Sequence, residues 1–76
     1  MNANAKQRLQ LLEILYAARE KEPRRGWVAE YDLRNAIGDP LFALSVLEEL
    51  GHIVRDGNTY RITGPGVLVI EGQQQN

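Results

Sequence analysis

No cysteine occurs in the chain, so neither a disulfide nor a thiolate metal cage can hold it together. Apolar runs are short. Nothing approaches the roughly 20 consecutive apolar residues that cross a bilayer, and the start MNANAKQRLQ lacks the apolar stretch of a secretory signal. A cytoplasmic chain with no membrane partner is the expectation. Catalytic signatures are missing too. There is no nucleophile–base pair, no Gly-rich phosphate loop and no carboxylate pair in a plausible pocket, so neither an enzyme nor a bound cofactor is expected. The single His52 has no Cys or acidic cluster at ligand spacing, and no metal site is expected.

Positive charge is missing from one part of the chain. Overall the balance is close, with 9 Lys and Arg against 10 Asp and Glu and a net charge of −1. A free-standing nucleic-acid binder more often carries a clearly basic surface, because phosphate neutralisation supplies most non-specific affinity. The segment NAIGDPLFALSVLEELGHIV, from Asn35 to Val54, contains no Lys or Arg. Lys6, Arg8, Arg19, Lys21, Arg24, Arg25 and Arg34 precede it, and Arg55 and Arg61 follow it. At 76 residues the chain makes one small domain, which buries only about 60% of the surface its unfolded form exposes.

What is present sorts into short elements. Ala5 to about Lys21 consists of good helix formers and stops before Pro23. Its apolar residues, Leu9, Leu11, Leu12, Ile14, Leu15, Tyr16 and Ala18, cover roughly 220° of the helix circumference, against the 100° or so a surface helix needs. Either this helix is sunk between layers or part of its face meets a second chain. A polar connector, Glu22 to Gly26, leads to Trp27-Val28, a candidate short strand. Trp27, Tyr31 and Tyr60 are expected to pack inside, and the interleaved Arg19, Lys21, Arg24, Arg25, Glu20 and Glu22 to form a salt-bridged helix end. Glu30 to Ile37 reads as a second helix with Leu33, Ala36 and Ile37 on one face, ended by Gly38.

Asp39-Pro40 predicts the start of a third helix, with Asp as N-cap and Pro in the first turn. That helix runs to Leu50 and is closed by Gly51. Ala43, Leu44, Val46, Leu47 and Leu50 are expected inward, Leu41, Ser45, Glu48 and Glu49 outward, and Phe42 on the margin. His52–Arg55 and Thr59–Thr63 form a hairpin around Asp56-Gly57-Asn58, with either Asp56-Gly57 or Gly57-Asn58 as the central pair. Gly64-Pro65-Gly66 reads as a turn. The β-branched run Val67–Ile70 favours a strand, while Thr63 followed by Pro65 can open a helix. Residues 1–4 and 72–76 are expected to fray.

The expected fold class is therefore α+β, mostly α with a small β-hairpin. Helix, short strand, helix, Gly turn, helix, hairpin is also the order of the winged helix-turn-helix. The residues VLEELGHIVRDGNTYRITGPG resemble the stretch of PadR- and MarR-type bacterial transcriptional regulators in which the recognition helix ends and the wing begins. The resemblance runs from the first helix to Gly66 and implies three helices plus a wing. It also implies a short C-terminal helix over 65–71.

By the same resemblance, the third helix lies in the major groove of double-stranded DNA and the wing touches the adjacent backbone. Leu41, Phe42, Ser45 and Glu49 would then face the groove. Arg34, Arg55, Asn58, Arg61, Arg24 and Arg25 would hold the backbone. The Arg–guanine and Asn/Gln–adenine pairs that dominate base readout have no donor on this helix. Regulators of this kind often pair, and a homodimer through Leu9, Leu11, Ile14, Leu15 and Ala18 of the first helix would use its wide apolar face. An alternative stays open from the residues themselves. Leu41 and Phe42 beside Glu48 and Glu49 form an apolar anchor with an acidic rim, which suits a protein partner at the third helix.

Overall fold

Asn2 opens the first helix, its Oδ1 accepting the Ala5 N–H at 2.7 Å. The structure, a computed structural model, describes residues 2–74, with side chains through residue 72. It contains α1 (Ala3–Lys21), β1 (Val28–Ala29), α2 (Glu30–Ile37), α3 (Leu41–Glu49), β2 (Ile53–Asp56), β3 (Thr59–Ile62) and α4 (Gly64–Gln74). The fold is α+β: four helices and a three-stranded antiparallel sheet in the order β1-β3-β2. Both ends are more helical than expected, since α1 already includes Ala3 and α4 continues through Gln74. Met1 and residues 75–76 lie outside the described residues.

The wide apolar face of α1 is used within the chain. Helix α1 packs on α3, α4, β3 and α2, so Leu11, Leu12 and Leu15 are enclosed on several sides at once. They form one core with Leu33 of α2, Ala43, Leu44 and Leu47 of α3, Ile53, Tyr60 and Ile62 of the sheet, and Ile70 of α4. Fully burying each of the Leu and Ile side chains among them contributes about 1.5–3 kcal/mol. Two residues of the expected dimer surface are thereby corrected. Leu11 and Leu15 have no exposed area to offer a second chain, and Leu9, Ile14 and Ala18 are half-buried beside them.

The hairpin settles the open register. Ile53 pairs with Ile62, Val54 with Arg61, Arg55 with Tyr60 and Asp56 with Thr59, which leaves Gly57-Asn58 as the central pair. Gly57 has φ 59 and Asn58 does not have positive φ, the pattern of a type II′ turn, whose first central position favours Gly. Ile53, Tyr60 and Ile62 face the core. Val54 and Arg61 therefore lie on the outer face.

Gly64-Pro65-Gly66 is not a turn but the first turn of α4. Thr63 Oγ1 accepts the Gly66 N–H at 3.2 Å and donates to the Gly51 carbonyl at 2.6 Å. The Thr63 carbonyl accepts the Val67 N–H at 2.9 Å. A side-chain cap, a Pro near the start where no N–H is needed, and burial of Ile70 together outweigh the strand preference of Val67–Ile70.

Candidate binding face

Helix α3 presents its outer face without cover. It begins one residue later than the Asp-Pro signal implies: Pro40, not Asp39, is the N-cap residue. The Pro40 carbonyl accepts the Leu44 N–H at 2.8 Å, and Pro40 itself is buried. Asp39 acts one step outside the helix, its Oδ1 accepting the Leu41 N–H at 3.2 Å. Its carbonyl also accepts the Gln7 side-chain amide at 2.9 Å, which ties the turn to α1.

With that start, Ala43, Leu44 and Leu47 point into the core while Phe42 is 61% and Leu41 45% exposed. Ser45, Glu48 and Glu49 are exposed as well. Ser45 turns its hydroxyl back to the Phe42 carbonyl at 2.8 Å, so its donor is spent inside the helix. Two expected inward residues differ. Val46 is half-buried, and Leu50 is 58% exposed. The helix ends at Glu49, and the Gly51 turn carries Leu50 away from the core before a further turn could bury it.

The residues expected to hold phosphates, Arg55 aside, fall into two groups: Arg34 and Asn58 line one cleft beside Glu30, and Arg61 reaches the connector that carries Arg24 and Arg25. Arg34 donates from Nε to Glu30 Oε2 at 3.2 Å, the one ion pair among the described residues. Arg61 lies on the outer sheet face, 6.0 Å from the centroid of the Trp27 ring. Its Nη2 donates to the Pro23 carbonyl at 3.3 Å, while its Nε is buried without a partner among the described residues. Arg61 therefore fastens the connector to β3 instead of projecting as a free wing cation. Arg24, Arg25, Arg55 and Asn58 are exposed. Asn58 also receives the Glu30 N–H on its backbone carbonyl at 2.8 Å, which holds the hairpin turn against the start of α2.

Three side-chain expectations are corrected by the same geometry. Val28 pairs with Tyr60 on the inner face, so Trp27, one residue earlier, falls on the outer face and stays 39% exposed. Tyr31 is 72% exposed because Leu33, the buried residue of α2, lies about 200° around the helix from it. Tyr60 is buried as expected. Among the described residues, no salt bridge joins the helix end and the connector. Arg19 instead donates to the Ile62 carbonyl at 2.9 Å.

The exposure of Leu50, Val54 and Trp27 was not foreseen in the sequence, and the strand and helix phases responsible for it become visible only with the register. A groove of about 180 Å³ lies among Leu9, Leu12, Leu47, Leu50 and Val69, with Arg8 and His52 also lining it. It is below the 300–1,000 Å³ typical of small-molecule sites. No group of three or more His, Cys, Asp or Glu residues among the described residues has the proximity to hold a metal ion. No helix among them is long and apolar enough to cross a membrane. Comparison with known proteins finds no matching family model, no similar curated protein and no similar solved structure.

Proposed function

We propose that the chain is a winged helix-turn-helix module whose third helix binds protein instead of reading DNA. The order of elements, with β1 completing a sheet beside the β2–β3 hairpin, supports the winged arrangement. One observation carries the choice of partner. Leu41 and Phe42 are exposed on a helix whose own solvent-facing charges are Glu48 and Glu49, without a single cation. Apolar anchors within a polar rim are what a protein interface needs. A phosphate backbone would meet only negative charge here.

The test is capture with the whole chain as bait, beside a Leu41→Arg variant. Loss of capture by the variant, with an unchanged circular dichroism spectrum and melting temperature, is the expected result. Equal capture by both would sink the reading. A second reading, double-stranded DNA held by the connector and hairpin, is favoured by exposed Arg24, Arg25 and Arg55 with no ion pair among the described residues. It requires a duplex shift at low salt that weakens steeply as salt rises. It also requires Arg55→Ala to lose affinity about equally on all sequences.

A further inference from the structure

We infer that the occupant of the α3 face is an amphipathic helix whose apolar stripe is bordered by Lys or Arg. This rests on the protein-binding reading above and adds the chemistry of the partner. The face is acidic at both ends. Asp39 stands at the N-terminal approach, Glu48 and Glu49 at the C-terminal end, and all three are exposed. The apolar anchors Leu41 and Phe42 lie between them. Neither Glu48 nor Glu49 forms a salt bridge among the described residues, and the nearest basic residues along the chain are Arg34 and Arg55.

The negative end of the α3 dipole adds to the field of Glu48 and Glu49. An apolar partner would leave Glu48 and Glu49 without compensation, and an acidic partner would be repelled. A helix lying along α3 can bring its own apolar residues onto Phe42 and Leu41 while placing cations near both acidic ends. Helix-in-groove docking by spaced apolar anchors is an established way to recognise a peptide. Val46, half-buried beside Phe42, extends the apolar strip toward the C-terminal end.

The experiment uses two synthetic peptides of about 18 residues, long enough to populate a helix in water. Both carry the same Leu stripe, one with a Lys polar face and the other with Glu in those places. Backbone amide resonances of the whole chain are followed during titration. The Lys peptide should shift the amides of residues 41–49 and bind about tenfold tighter than the Glu peptide at low salt. The double variant Glu48→Lys with Glu49→Lys, on exposed positions that leave the fold intact, should reverse that order. Leu41→Arg should lose the Lys peptide, which separates docking on α3 from diffuse charge attraction.

Equal binding of both peptides at α3 would overturn the charge inference and leave protein docking standing. No shift of α3 amides with either peptide would overturn both. Self-association of the chain alone, abolished by the Glu48/Glu49 reversal, would overturn it in favour of a second copy. Shifts of residues 41–49 by a mixed-sequence duplex would overturn it in favour of DNA.

Discussion

The first turn of α4 rests on the backbone of His52, because only a hydrogen at Gly66 fits beneath it. A Cβ built there would fall onto the His52 carbonyl oxygen and lie 2.7 Å from Ile62 Cγ1. The obstructing atom is backbone and its carbonyl already accepts the Thr63 N–H at 3.0 Å, so it cannot simply move aside. Gly66→Ala should therefore destabilise by about 1–3 kcal/mol, even though Ala is the better helix former by about 1 kcal/mol. Gly72, with open space around it in the same helix, provides the control: Gly72→Ala should be neutral or stabilising. Urea melts of the two variants decide the matter, and equal behaviour would show that the close approach carries no weight.

The ends of α1 and α2 were legible because local residues set them: Pro23 and Gly38 stop those helices wherever the rest of the chain goes. The burial of α1 was legible only as an alternative. Its apolar arc is the same whether α4 or a second chain covers it, and α4 itself hung on whether Thr63 would cap. Trp27 and Leu50 were misplaced for a different reason. Their exposure depends on which face of β1 turns inward and where α3 stops, and neither is a property of the residue. The outward set Leu41, Ser45, Glu48 and Glu49 was readable from helical phase, with Phe42, expected on the margin, more exposed than that phase implies, whereas the engagement of Arg61 with Pro23 spans 38 positions and leaves no local trace.

Thr63 joins two elements with one hydroxyl, accepting from Gly66 at the start of α4 and donating to Gly51 at the end of α3. Thr63→Ala should cost about 1 kcal/mol or somewhat more, the usual loss for an N-cap. Thr63→Ser keeps both bonds and should recover most of it. Hydrogen exchange at the Gly66 amide gives the site-specific reading. If the amide remains as protected in Thr63→Ala as in the parent chain, the cap is not what holds the turn.

Arg61 and Arg55 are equal as charges and unequal in the fold. Arg61 stacks by Trp27 and bonds the Pro23 carbonyl, whereas Arg55 is exposed near the hairpin turn. Arg61→Ala should cost about 1 kcal/mol and change the emission of the single Trp27 as its ring loses its cover. Arg55→Ala should lie within about 0.5 kcal/mol of the parent. Matching melts for the two variants would mean that the connector is held by something else.

Tyr16 donates to Glu71 Oε2 at 2.8 Å across 55 positions, fastening α4 to α1. That hydrogen bond to a carboxylate raises the phenol above its ordinary value of 10.0, helped by desolvation and by the negative charges of Glu71 and Glu20. The folded state thus disfavours the tyrosinate. The stability this contributes is complete below the unfolded tyrosine value and is lost as pH rises through the folded one. An NMR titration that follows the Tyr16 ring resonances should show this phenol ionising late, and Glu71→Gln should bring it down toward its ordinary value. A late phase that survives Glu71→Gln would assign the shift elsewhere.

Phe42 and Leu44 sit two residues apart on α3 with opposite surroundings, Phe42 exposed to solvent and Leu44 enclosed. If the outer face is free for a partner, removing Phe42 should cost the fold almost nothing. Phe42→Ser should melt within about 0.5 kcal/mol of the parent, while Leu44→Ala should lose about 2–5 kcal/mol by leaving a cavity under α1. The comparison uses stability alone and so does not depend on knowing the partner. A Phe42→Ser loss approaching that of Leu44→Ala would mean that the ring is packed in solution. In that case α3 would have no open apolar face to offer.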